Sequence, residues 1–261
     1  MSYFPIISAP DCNGRTTLFN YPPNNWEFIS AEPQLVNLTW SEDDVWRSVT
    51  VDEIPYGSIR SYQYSDFPFL PKASLPLLSL SSHSFPDISN LLPATKHTNS
   101  IPTWRGTIEL YTSSSSTSYQ GELDAFPVPS SLLTISPLIQ FHDSIKNYLL
   151  LLNLELSPIT RKSLLRIYKC NNDSPLIGNF EVTNNAITAV CLDSLSLLPD
   201  DLSVGVISDM SAIPLYFSYS TYGDCLSLEH TPPPASYFIH GKRWQLQSHL
   251  KRRWFSKLLS R

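Results

Sequence analysis

Three residues near the C-terminus carry groups that can hold a metal ion or move a proton. Glu229, His230 and His240 lie in "LEHTPPPASYFIH", a strand-like end followed by three prolines. A stiff loop can return one imidazole toward another, and two imidazoles with a carboxylate make a workable ligand set. The same groups suit general acid–base chemistry near neutral pH. The spacing argues the other way. Two histidines separated by nine residues match no recognised metal motif. Glu229 and His230 are adjacent, so on a strand they point to opposite faces. This set defines an enzyme alternative, metal-dependent or carbohydrate-active. The main expectation is a non-enzymatic binding or assembly protein that uses its β-sheet surfaces and a basic C-terminal helix and needs no cofactor.

Carboxylates and aromatic rings give two further candidates. Glu109, Glu122, Asp124 and Glu155 fall on or beside strand-like runs. Glycoside hydrolysis needs two carboxyl groups about 5–10 Å apart across a cleft, and cross-strand carboxylates can supply them. A solvated sheet face explains the same alternation. Trp26, Trp40, Trp46, Trp104 and the run "YFSYSTY" offer rings for stacking a sugar. Tyr216 lies on the face opposite Phe217 and Tyr219, so one of these faces is expected in the core and the other in water. No G-x-S-x-G elbow and no Gly-rich phosphate loop follows any strand.

The last stretch, "KRWQLQSHLKRRWFSKLLSR", differs from the rest of the chain. It holds seven Lys or Arg and no acidic residue. The residues before it carry the other eleven basic groups and all 23 acidic ones, a net −12. Trp244, Leu250, Trp254, Phe255, Leu258 and Leu259 recur mostly at helical spacing and cover roughly half of a helix surface. The basic residues Lys251, Arg252, Arg253 and Lys257, with Trp254 as an anchor, are the expected partner-binding set. The expected partner is a protein, or the acidic body of the same chain. Carbohydrate remains an option elsewhere on the surface. Nucleic acid and membrane are disfavoured, because an acidic body repels phosphate; peripheral attachment to an anionic surface through this basic helix is the third alternative.

The elements that must position these groups read as strands. Twenty-two prolines against eight glycines favour short strands joined by stiff turns. An apolar fraction of 42% with 16% charged residues argues against general disorder. Residues 35–51 read as a hairpin about the acidic turn "SEDD". Residues 55–78 read as extended chain over a surface. The segment 79–103, rich in Ser, Pro and Asn, is either a linker or a long loop. "TWRGTIELYT" then begins a second hairpin, with Gly106, Ile108 and Leu110 on one face. Short strands follow at spacings of ten to fifteen residues. The expected fold is all-β, an antiparallel β-sandwich or two packed β modules, with one C-terminal amphipathic helix. The expected units are 1–100, 101–241 and the helix 242–261. Oligomeric state is not set by these patterns.

The four cysteines form no C-x-x-C pair. Cys170, Cys191 and Cys225 sit in strand-like runs, where a free thiol packs as a small apolar group. "MSYFPIISAPDC" lacks a basic region and a long apolar core, and "NYLLLLNLEL" is too short to span a bilayer. The reading is a cytoplasmic protein with reduced thiols.

Overall fold

The computed structural model describes residues 3–20, 32–72, 74–93, 106–119, 123, 131–137, 139–170, 175–230 and 253. The strands run in the order β1 (Phe4–Pro5), β2 (Asn13–Phe19), β3 (Gln34–Glu42), β4 (Val45–Ile54), β5 (Ile59–Gln63), β6 (Leu77–Ser81) and β7 (Ile88–Ser89). Then come β8 (Gly106–Tyr111), β9 (Ser116–Tyr119), β10 (Leu132–Ile135), β11 (Ile145–Leu152) and β12 (Lys162–Lys169). Last are β13 (Leu176–Thr183), β14 (Ile187–Cys191), β15 (Val204–Ser208), β16 (Ile213–Ser220) and β17 (Leu226–His230). Among the described residues no helix is long and apolar enough to cross a membrane.

These strands form four antiparallel sheets. Sheet I has the order β1-β6-β3-β4-β7, and sheet II β5-β2-β8-β9. Sheet III has the order β14-β11-β16-β17, and sheet IV β10-β15-β12-β13. The all-β antiparallel expectation is met. The single sandwich is not: the arrangement resembles that of a four-bladed propeller. The physical reason lies in which faces are apolar. A sandwich needs sheets with one apolar face each, and sheets I and III have two.

Three cores show this. One lies between sheets I and II, with Leu38, Leu78 and Leu80 facing Leu18 and Tyr62. A second joins Trp46 and Leu77 of sheet I, Ile108 and Leu110 of sheet II, and Leu150, Leu215 and Phe217 of sheet III. The third packs Leu149, Leu151 and Tyr216 of sheet III on Leu165, Ile167 and Val206 of sheet IV. The run "YLLLL" is therefore one strand whose alternate residues enter different cores. Each fully buried Leu of this kind contributes about 1.5–3 kcal/mol. Tyr216 is in one core and Phe217 and Tyr219 in another, so both faces of this strand are buried, not one.

The expected hairpin at 35–51 is β3–β4. Its turn residues Asp43 and Asp44 have φ of 52° and 60°, the left-handed pair that matches strand twist. The stretch 55–78, read as irregular, contains β5 and most of the approach to β6. Gly57, with φ of 75°, turns the chain from sheet I into sheet II there. β8, from beyond residue 101, pairs with β2, so sheet II draws on both sides of 94–105. The expected helix 242–261 lies outside the described residues except Arg253, which is helical and exposed.

Candidate functional site

At the end of sheet III where β11 starts and β16 finishes, three polar segments meet. The β16–β17 turn, "TYGD", approaches the β8–β9 tip, "TSSS". Gly223 takes φ of 76°, and its carbonyl is the meeting point. It accepts hydrogen bonds from Thr112 Oγ1 at 2.6 Å, Ser114 Oγ at 2.5 Å and Ser115 Oγ at 3.0 Å. A Cβ at Gly223 would stay 3.6 Å from Thr112 Oγ1, so the glycine answers to backbone conformation rather than to space. The third segment is the Pro10–Cys12 turn, where Asp11 sits at φ of 58°.

These segments wall an open cleft of about 460 Å³. Asp11, Asn13, Thr112, Ser113, Tyr219 and Tyr222 are among its walls. Tyr219 Oη donates to Asp11 Oδ2 at 2.5 Å. Burial, then this bond to a carboxylate, push the Tyr219 phenol well above its usual range. Behind it the rings of Tyr148, Phe217 and Tyr219 stack, with Tyr148 and Phe217 centroids 5.0 Å apart and planes 10° from parallel. Burial and the neighbouring Cys191 raise the Tyr148 phenol as well. The ladder fixes the back wall, while Tyr222 at the rim is 80% exposed. Among the described residues the cleft offers one carboxylate, an amide, several hydroxyls and an exposed ring.

A second cleft, of about 430 Å³, opens at the same end of sheet III beside His142, Lys146 and Asp193. Its histidine is held locally, with Nδ1 2.7 Å from Ser144 Oγ. Asp193 is also committed, accepting from the backbone and side-chain nitrogens of Asn147 at 2.6 and 2.9 Å.

The residues singled out by sequence are scattered. Glu229 is exposed on β17, paired in register with Tyr216. His230 pairs with Leu215 in the backbone register of β17, and its side chain lies outside what is described. His240 lies outside the described residues. Among those residues no group of three His, Cys, Asp or Glu stands close enough to hold a metal ion. Glu109 is held by Arg15, whose Nε is 2.8 Å away. Glu155, 3% exposed, is paired with Arg161. These two carboxylates are committed to separate ion pairs, and Glu122 and Asp124 lie outside the described residues. Trp40 and Trp46 are buried in different cores, and Trp26 and Trp104 lie outside the described residues. Lys251, Arg252, Trp254 and Lys257 do too. Cys170 and Cys225 are exposed rather than packed, Cys191 is half-buried, and only Cys12 of the four is in a core. All four thiols are free.

Asp11, Asn13, Thr112 and Tyr222 carried no signal as a site, because each sits in a separate turn. The turns "TYGD" and "TSSS" lie more than a hundred residues apart in the sequence, and only pairing of β2 with β8 and β16 with β17 brings them together. No protein-family model, no curated protein and no solved structure matches the chain.

Proposed function

We propose that the protein is a non-enzymatic binding protein and that its cleft beside Asp11 and Tyr222 takes a neutral saccharide. The observation that supports this reading is the Tyr222 ring, exposed at the rim above a wall of hydroxyl, amide and carboxylate groups. A free ring stacks on the C–H face of a sugar, and the wall groups accept and donate to its hydroxyls. Hydrolysis needs two carboxyl groups across the bond. Among the described lining residues the cleft has one, Asp11, already engaged by Tyr219. The acidic charge of the body favours a neutral ligand over an anionic one.

Saturation-transfer NMR against neutral and acidic oligosaccharides tests the proposal. The expected result is saturable binding of a neutral sugar that weakens about tenfold or more in Tyr222→Ala, the loss of roughly 1.4 kcal/mol. Asp11→Asn should weaken it as well. Absence of saturable binding, or binding indifferent to both changes, overturns the reading.

A second reading is favoured by Arg253, which is exposed. The basic set Lys251, Arg252, Arg253 and Lys257, with Trp254, then presents charge to an acidic protein surface. Retention on polyglutamate that is lost on changing the four cations to Gln, and on raising salt, is the expected result. Retention that survives high salt rules it out.

A further inference from the structure

The cleft of about 430 Å³ beside His142 and Lys146 has no part in the reading above. Register sets it next to the Tyr222 cleft. β11 and β16 are neighbouring strands, and Lys146, in the wall of one cleft, pairs with Tyr219, in the wall of the other. Residues paired across an antiparallel ladder project from the same face, with Cβ atoms about 4.5–5.5 Å apart. A backbone hydrogen bond also joins the two walls. Thr221 N donates to Ser144 O at 2.7 Å. Ser144 directly follows His142 and Asp143 of one cleft, and Thr221 lines the other. A ligand that leaves the Tyr222 cleft toward β14 therefore meets the second cleft after a single strand spacing, about 4.8 Å.

The second cleft repeats the chemistry of the first. Phe141 in its wall is 39% exposed and belongs to none of the three cores. Ser144 N donates to His142 Nδ1 at 3.2 Å, so the neutral imidazole carries its proton on Nε2. That N–H, the Lys146 ammonium and the Asp143 carboxylate have no hydrogen-bond partner among the described residues. Two donors and an acceptor beside a partly exposed ring suit the hydroxyls and the C–H face of a sugar. An anion suits the cleft less well, because Asp143 and Asp193 outnumber Lys146 there.

We propose that the second cleft is a further sugar subsite, so that the ligand is a neutral oligosaccharide laid across the β11–β16 end with its rings on Tyr222 and Phe141. This rests on the saccharide reading of the Tyr222 cleft. A single sugar fills one cleft, and a longer chain engages both.

Titration calorimetry of the full chain with cello-, malto- and manno-oligosaccharides of one to six units tests the second subsite. In a series that binds, affinity should rise about tenfold from the disaccharide to the hexasaccharide. Phe141→Ala should weaken the hexasaccharide about threefold to tenfold and leave the disaccharide unchanged, whereas Tyr222→Ala weakens both. Phe141 lies outside the cores, so the variant should fold. Amide shift mapping of the wild type gives a reading that needs no variant. The hexasaccharide should move amides of 141–146 together with those of 221–223. Three results overturn the second subsite and leave the Tyr222 reading standing. They are Tyr222-sensitive binding that is flat in chain length, a Phe141→Ala effect that is absent or equal for both lengths, and hexasaccharide shifts confined to 221–223. Absence of saturable binding in all three series overturns both readings.

Discussion

Two aspartates at one turn show how local strain and a distant contact trade off. Asp43 and Asp44 both take positive φ, which is disfavoured for residues with a side chain. Asp44 is compensated: its Oδ1 accepts from Thr160 N at 2.8 Å, 116 residues away, and that bond lowers its carboxyl pKa. Asp43 has only a 3.5 Å contact with Arg47. Asp43→Gly should therefore stabilise the protein by about 0.5–1 kcal/mol. Asp44→Gly should gain little, since it loses the Thr160 bond. Urea titration of the two variants checks the difference. Glu155 illustrates the opposite case. Arg161→Ala leaves a buried carboxylate with Asn184 Nδ2 at 3.3 Å as its remaining side-chain donor. The expected cost is about 2–3 kcal/mol, below the roughly 3–5 kcal/mol of a fully buried broken pair because Arg161 is 41% exposed. Thiol chemistry separates in the same way. Burial and then Asp11 push the Cys12 thiol up to about 11, so iodoacetamide near neutral pH should label exposed Cys225 first and Cys12 only on unfolding.

At the scale of elements, β11 decides the architecture. Leu149 and Leu151 enter the core shared with sheet IV, and Leu150 and Leu152 enter the core shared with sheets I and II. Leu150→Ala and Leu151→Ala should each cost about 2–5 kcal/mol. Because one strand serves both cores, both variants should shift one common unfolding transition; two separate transitions would show that the cores melt independently. The apolar run was legible as a strand, but a run apolar on both faces does not say what covers each face. The same limit applies to "PLYFSYS". Alternation placed Tyr216 opposite Phe217 and Tyr219 correctly, while the assignment of one side to solvent failed. β5 and β6 were missed because each is only five residues long and lies in a stretch whose flanking prolines and mixed polarity mask period-two alternation, and pairing with β2 and β3 supplies the order instead.

At the scale of the whole molecule, polar contacts across the sheets complement the shared core. Trp46 Nε1 donates to Leu156 O at 2.9 Å, and Ser41 Oγ to Pro158 O at 3.0 Å. Leu75 N donates to Asn185 O at 3.2 Å, and Asn185 Nδ2 to Ser157 O at 2.8 Å. With the Asp44–Thr160 bond, the bonds of Trp46, Ser41 and Leu75 tie the β3–β4 hairpin and the approach to β6 to the chain between β11 and β14, and the Asn185–Ser157 bond joins two turns within that chain. Two carboxylates give the fold a pH signature. Asp44 is held low by Thr160 and Asp201 by Lys169, whose Nζ is 2.6 Å away. A carboxyl lowered in the folded state adds stability that is fully present above its unfolded value, about 3.9. That stability is lost as pH falls through the lower folded value. Thermal stability should thus decline below about pH 4, and Asp44→Asn with Asp201→Asn should flatten that decline. An acid limb unchanged by both substitutions would assign it to other groups.

Local patterning is enough to show that this chain is all-β, where many of its strands and turns fall, and which residues alternate along a strand. Those are local consequences of proline content, period-two patterning and turn chemistry. Tertiary structure alone decided that the strands make four sheets with three cores rather than one sandwich. It also separated Glu109 from Glu155 in different ion pairs. And it drew Asp11, Thr112, Tyr219 and Tyr222 to one cleft. The physical reason is that pairing and packing join residues up to two hundred positions apart, and neither leaves a mark on local spacing.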